Sequence, residues 1–149
     1  NEWDFREAPF PDYSFDAIAY DPPYVCMGGR QTSTGIAVNL RDRFGLQDAP
    51  KTPALLQDLM NAGLAEMVRI SRPKAMILMK CQDYISSGGL WPGTYYSIQH
   101  GFGLGLKLID RMEHVSGLGP QPTHNQDGSV RRQVHARRNY STLLVFQRP

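Results

Sequence analysis

Between Pro53 and Ile70 the apolar positions Leu55, Leu56, Leu59, Met60, Leu64, Met67 and Val68 recur at steps of three and four. That spacing is the signature of a helix with one buried face, and it predicts an amphipathic helix over this stretch. Thr52 is placed to cap its start, with Pro53 in the first turn, where a missing N–H costs nothing. Arg69 and Arg72 sit near the expected end, where cations suit the helix dipole, and Pro73 is expected to stop it.

The other apolar segments are shorter and read as strands. Asp16 to Tyr20 lies between the turn-forming Pro11-Asp12-Tyr13-Ser14 and Pro22-Pro23, and Ala75 to Cys81 (AMILMKC) follows the helix after a few residues. Strand, helix, strand in this order predicts a parallel pair joined by a right-handed crossover. After a Gly/Ser break at Ser86 to Gly89, Thr94 to Leu106 is read as a second helix, although Gly101, Gly103 and Gly105 each weaken it by about 1 kcal/mol relative to alanine. Leu106 to Val115 and Ser141 to Gln147 (STLLVFQ) are two further strands, and without a crossover helix between them they are expected to pair antiparallel. Met27 to Pro53 and Ser116 to Arg138 are long loops of the kind that are commonly functional or disordered. No internal repeat or low-complexity tract is evident.

Composition adds bounds to this outline. A chain of 149 residues suits one domain with a single core. It is too apolar for a disordered chain, has no run of the roughly 18 apolar residues that cross a bilayer, and opens with no basic-then-apolar leader. A soluble, cytoplasmic protein with no membrane association is the expectation. Asn1 in place of Met, and the lack of an opening element, suggest that the N-terminus is incomplete. Cys26 and Cys81 are far apart beside apolar runs, which favours buried free thiols over a disulfide and offers no metal-ligand spacing. A net charge of +2 says little by itself, but Arg131, Arg132, Arg137 and Arg138 are bunched together.

The chemistry gathers where the first strand stops, in IAYDPPYV, Ile18 to Val25. Ligands of open α/β sheets bind beyond the carboxyl ends of parallel strands, which is where Asp21-Pro22-Pro23-Tyr24 would stand. Two prolines hold the backbone extended and offer carbonyl acceptors without N–H donors. Asp21 adds a carboxylate and Tyr24 a flat ring, so the group suits a planar ligand carrying an NH2. Asp-Pro-Pro is equally a strand-ending turn, with Tyr24 as a cap on the core.

Asp21-Pro22-Pro23-Tyr24 after an apolar strand resembles the S-adenosylmethionine-dependent methyltransferases that act on exocyclic amines of nucleic-acid bases. The downstream order is similar too: a helix ending at Arg72-Pro73, the strand Ala75 to Cys81, and a closing hairpin with LLVF. The resemblance covers nearly the whole chain, and is strongest to bacterial and phage DNA methylases of the adenine-N6 or cytosine-N4 type. It implies an α/β fold, the C-terminal half of a Rossmann-like class I methyltransferase sheet, mainly parallel with a terminal antiparallel hairpin. It implies S-adenosyl-L-methionine as cofactor and a nucleic acid as partner, DNA ahead of RNA, and no metal is expected. Asp21, Pro22, Pro23 and Tyr24 would then be the catalytic group, adenine N6 the first expected target and cytosine N4 the second. RNA or protein-amide methylation, and a non-catalytic nucleic-acid-binding remnant, are the alternatives.

The departure from that family lies upstream. No strand and glycine-rich turn precede Asp21, so 1–149 is expected to be a single methyltransferase domain without its methionine-binding part. Gly101 to Gly105 follows Tyr95-Tyr96 and reads as a weakly packed helix, not a cofactor loop. Asp4-Phe5 resembles the family's adenine-binding acid and its neighbour, although an exposed Asp in a frayed terminus has the same appearance. Arg30, Arg41 and Arg43 in the first long loop are candidates for phosphate contacts. Lys80, with Gln82, Asp83 and Tyr84, would wall the base pocket, unless Lys80 is merely a strand-end charge reaching water. Arg131, Arg132, Arg137 and Arg138, interleaved with His135 and Tyr140, suit a phosphate backbone and a stacked base.

Overall fold

The computed structural model describes residues 4–24, 26, 50–115 and 139–149. In chain order these form β1 (Phe15–Tyr20), α1 (Pro53–Ile70), β2 (Ser71–Cys81), β3 (Tyr84–Ser86), β4 (Gly89–Trp91), α2 (Gly93–Gly103), β5 (Lys107–Val115) and β6 (Tyr140–Gln147).

Helix α1 has the predicted bounds, and for the predicted reason at its start: the Thr52 side chain accepts the Leu55 N–H, with proline at the first position. Its end differs. The chain leaves the helix at Ser71, whose Oγ donates to the Met67 carbonyl at 2.6 Å, so the stop precedes Pro73. Arg72 and Pro73 already belong to extended chain. The β1–β2 register jumps from Phe15↔Ser71 to Ala17↔Met76, and Lys74 takes a positive φ of 67° in the bulge so formed.

The main sheet has the order β1-β2-β6-β5. β1 and β2 pair in parallel, as expected, while β6 runs antiparallel to both β2 and β5. β1, β2 and β5 therefore point one way, with β6 reversed between two of them. The predicted antiparallel partnership of β5 with β6 holds, but the expectation of a mainly parallel sheet does not: two of its three ladders are antiparallel. The cause is that β6 enters between β2 and β5 and separates two strands of common direction.

The short hairpin β3–β4 was not foreseen. Ser86 pairs with Gly89, leaving Ser87 and Gly88 as a two-residue loop with φ of 50° and 79°. Positive φ at both loop positions matches the right-handed twist of the strands, and glycine takes it without strain.

Cross-strand neighbours share a face, so Ile18, Tyr20, Ile77, Met79, Leu144 and Phe146 form one side of the sheet. Both helices pack there. Tyr20 donates its hydroxyl to the Met60 carbonyl of α1, and Phe146 lies against Gly101 of α2. Gln57 joins the helices by donating to Ser97 Oγ at 3.3 Å. Leu64, Ile77, Met79, Leu144 and Phe146 are fully buried between these layers, each worth about 1.5–3 kcal/mol relative to exposure. The opposite face carries Ala17, Ala19, Met76, Leu78, Lys80, Leu143 and Val145, and no described helix covers it.

The chain ahead of β1 is strapped to α1. Glu66 accepts the Ala8 N–H at 2.8 Å, and Arg69 donates to the carbonyls of Ala8 and Phe10 and pairs with Asp12 and Glu66. The Tyr13 and Ser14 amides donate to the last α1 carbonyls, of Arg69 and Ile70.

Candidate functional site

β1 ends at Tyr20, paired with Met79 of β2, so Asp21 and Lys80 come next to each other one residue further along a parallel pair. The two strands thus open at the same edge of the sheet, as expected for a ligand site. Tyr20 faces the helices, so the alternation of the strand turns Asp21 towards the opposite side, where its side chain is 66% exposed. Pro22 and Pro23 are buried, and the half-buried Tyr24 packs against the core cluster. The tetrapeptide is therefore a strand end seated on the core that carries an exposed carboxylate and a half-buried aromatic ring.

Lys80 connects the two. Its Nζ lies 3.9 Å from Asp21 Oδ1 and 5.4 Å from the centroid of the Tyr24 ring, over its face. The first distance is an ion pair longer than a direct hydrogen bond, and the second is within cation–π range.

The rest of the expected wall divides by function. Asp83 accepts the Thr94 N–H at 2.9 Å, and so caps the first turn of α2, where a negative charge is favoured by the helix dipole. Tyr84 turns inward to join the core, and burial pushes its phenol up to about 12. Lys80 is the member of the KCQDY stretch that meets Asp21 and Tyr24. Cys81, beneath it, is fully buried and donates weakly to Thr94 Oγ1, and burial pushes its thiol up to about 12. Cys26 is also buried and free, as expected, with its thiol directed at the Pro50 carbonyl.

Asp4 and Phe5 are placed unequally. The Asp4 carboxylate is exposed and held by the Arg6 guanidinium and backbone N–H, which together lower its pKa. Phe5 packs inward, its ring 5.9 Å from that of Tyr20 and against Gly63. Beside them a cleft of about 610 Å³ is lined by Arg6, Pro50, Lys51, Leu55, Asp58, Leu59 and Ala62.

Gly101 and Gly103 lie inside α2 and Gly105 just follows it with φ of 78°, so this glycine run closes a helix instead of opening one. The helix is not weakly packed, because Gly101 admits Phe146. Arg30, Arg41 and Arg43, and the cluster Arg131, Arg132, Arg137 and Arg138 with His135, lie outside the described residues. Among the described residues, no group of three or more His, Cys, Asp or Glu is arranged to hold a metal ion, and no helix is long and apolar enough to cross a membrane.

No family model and no curated protein match the chain. Its fold, however, is similar to solved structures. One is TTHA0409 from Thermus thermophilus, a candidate DNA modification methylase, with 16% identity, a TM-score of 0.60, and coverage of 99% of this chain and 52% of that one. The same protein complexed with S-adenosyl-L-methionine aligns at 14% identity and a TM-score of 0.59, over 98% of this chain and 51% of that one. PvuII DNA methyltransferase, which is cytosine-N4-specific, aligns at 12% identity and a TM-score of 0.57, covering 93% of this chain and 44% of its own. The chain spans about half the length of these proteins.

Proposed function

We propose that this chain is the target-amine half of a DNA methyltransferase, which moves a methyl group from S-adenosyl-L-methionine to the exocyclic amine of a base, adenine N6 or cytosine N4. The observation that carries the reading is the exposed Asp21 carboxylate and the Tyr24 ring, both reached by Lys80, at the carboxyl end of two parallel strands. Its support is a fold shared with DNA methylases, one of them complexed with S-adenosyl-L-methionine.

In this reading Asp21 and the Pro22 carbonyl accept the two amine hydrogens, and Tyr24 stacks on the base. Hydrogen bonds that draw the protons from the ring plane return lone-pair density to nitrogen and aim it. The bound cofactor supplies an electrophilic methyl on sulfonium. The nitrogen gains that methyl, a thioether leaves, and the amine proton passes to water. The site demands an unpaired base, so a duplex target must be flipped out.

Asp4 and Phe5 fit the adenine end of the cofactor in part. The Asp4 carboxylate is accessible once Arg6 moves aside, whereas the Phe5 ring is committed to the core and leaves its backbone for recognition. The strand ends flanking residues 27–49 and 116–138 open at the Asp21 edge. Arg30, Arg131, Arg132, Arg137 and Arg138 lie outside the described residues and are proposed for phosphate contacts on their charge.

The test is transfer of labelled methyl by the methylase that contains this chain, offered unmethylated DNA, RNA and protein substrates. Label on DNA amines, lost in Asp21→Ala with cofactor affinity retained, is the expected result. Undiminished transfer by that variant overturns the assignment, and label in RNA or protein overturns the choice of DNA.

A further inference from the structure

Lys80 brings to the site the same features that the target amine would bring. Its Nζ carries N–H donors, stands 3.9 Å from Asp21 Oδ1 and lies over the Tyr24 ring at 5.4 Å from the centroid. A base stacked on Tyr24 with its amine directed at Asp21 would need that same space. We infer that Lys80 is an internal placeholder, a positioning residue that fills the amine subsite of the free protein and exchanges with the incoming base. The inference rests on the methyltransferase reading of the site and adds a conformational step to it.

The geometry makes this exchange easy. The Lys80 side chain is 36% exposed, and at 3.9 Å it has no tight direct hydrogen bond to Asp21. An ion pair of this exposure is weak, and a cation over a ring at a partly wet site adds only a little. The contacts suffice to hold the Asp21 carboxylate and the Tyr24 ring in register before a target arrives, and are weak enough to be displaced. Lys80 stands on the sheet face opposite the two helices, and its partly exposed stem can carry the ammonium outward to the rim. There the freed ammonium meets the phosphate of a flipped nucleotide.

Nuclear magnetic resonance of the methylase that contains this chain, free of cofactor and DNA, tests the placeholder directly. In the free protein the ε-methylene protons of Lys80 are expected to be shifted upfield by the Tyr24 ring, and Tyr24→Leu should abolish that shift. Millimolar 2′-deoxyadenosine or 2′-deoxycytidine, but not thymidine, should perturb Asp21 and Tyr24 and return the Lys80 protons to their Tyr24→Leu positions. Lys80→Met, which keeps the stem and removes the competing charge, should tighten nucleoside binding about threefold to tenfold, the scale of two weak contacts. If Asp21 and Tyr24 respond while Lys80 keeps its shift, or Lys80→Met weakens binding, the exchange is overturned and the methyltransferase reading stands. If no nucleoside moves Asp21 or Tyr24, the base-binding reading falls and takes the exchange with it.

Discussion

Phe146 lies so close to the α-carbon of Gly101 that a methyl group built there would meet the ring at 2.7 Å. Phe146 is fully buried in β6 and cannot swing away, so the contact sets how near α2 comes to the sheet. Gly101→Ala should therefore destabilise by about 1–3 kcal/mol through overpacking, despite alanine's better helix propensity. Gly103, two residues on, faces open space, and Gly103→Ala should be neutral or gain up to about 1 kcal/mol. Thermal melts of the pair check this: equal effects would sink the close-packing account.

Gly63 of α1 bears the same relation to Tyr20. A β-carbon there would lie 2.0 Å from the phenol oxygen and 2.7 Å from the Phe5 ring. Gly63→Ala should displace the hydroxyl from the Met60 carbonyl and lower stability by about 1–3 kcal/mol. Because the worst clash is with the hydroxyl, Tyr20→Phe combined with Gly63→Ala should cost less than the sum of the two single changes. Additive costs in a double-mutant cycle would show that the clash is relieved elsewhere.

Glu66 makes stability depend on acid. The Arg69 guanidinium, and after it the Ala8 N–H, hold its carboxyl below the ordinary value of 4.5 in spite of burial. The unfolded chain therefore takes up the proton first. The contribution of Glu66 is complete above about pH 4.5 and disappears as pH falls through the lower folded value. Denaturant midpoints measured from pH 6 downward should fall less steeply in Glu66→Gln than in the natural sequence. Parallel curves for the two would place the acid sensitivity elsewhere.

Cys81 should be chemically silent until the fold opens. Burial raises its thiol from 9.0 to about 12, which at neutral pH leaves roughly a thousandfold less thiolate than an ordinary cysteine. Iodoacetamide should label Cys81 in denaturant and largely spare it in buffer when read by peptide mass spectrometry. Rapid labelling of folded protein would mean that the strand end opens locally.

Most of the fold was legible where the signals are local. Thr52, Pro53 and seven spaced apolar residues delimit α1, and runs of apolar residues mark the longer strands. The β3–β4 hairpin escaped because strands of three residues carry no period, although Ser87-Gly88 between two apolar pieces was a readable two-residue turn. The place of β6 between β2 and β5 escaped for a different reason. Strand order depends on contacts between distant residues, and nothing in STLLVFQ states which neighbours it will have. The site divides in the same way. Asp21 to Tyr24 announce themselves as a local cluster, and their place at the edge follows from the strand before them. That Lys80 stands between Asp21 and Tyr24, while Asp83 belongs to a helix cap, follows only from the register of β1 on β2, set by residues some sixty positions apart in the chain.

The insertion of β6 between β2 and β5 also governs the order in which the sheet can assemble. β5 has β6 as its ladder partner among the described strands, so it must wait in an unpaired state until residues 140–147 reach it. β1, α1 and β2 can close on one another first, whereas the far half of the sheet demands closure of long loops, which slows folding. Deleting residues 140–147 would thus remove two ladders at once, leaving the β1–β2 pair, the two helices and the β3–β4 hairpin with β5 cut off from the sheet. Stopped-flow refolding should accordingly show formation of the β5–β6 ladder as the step most sensitive to mutations in β6.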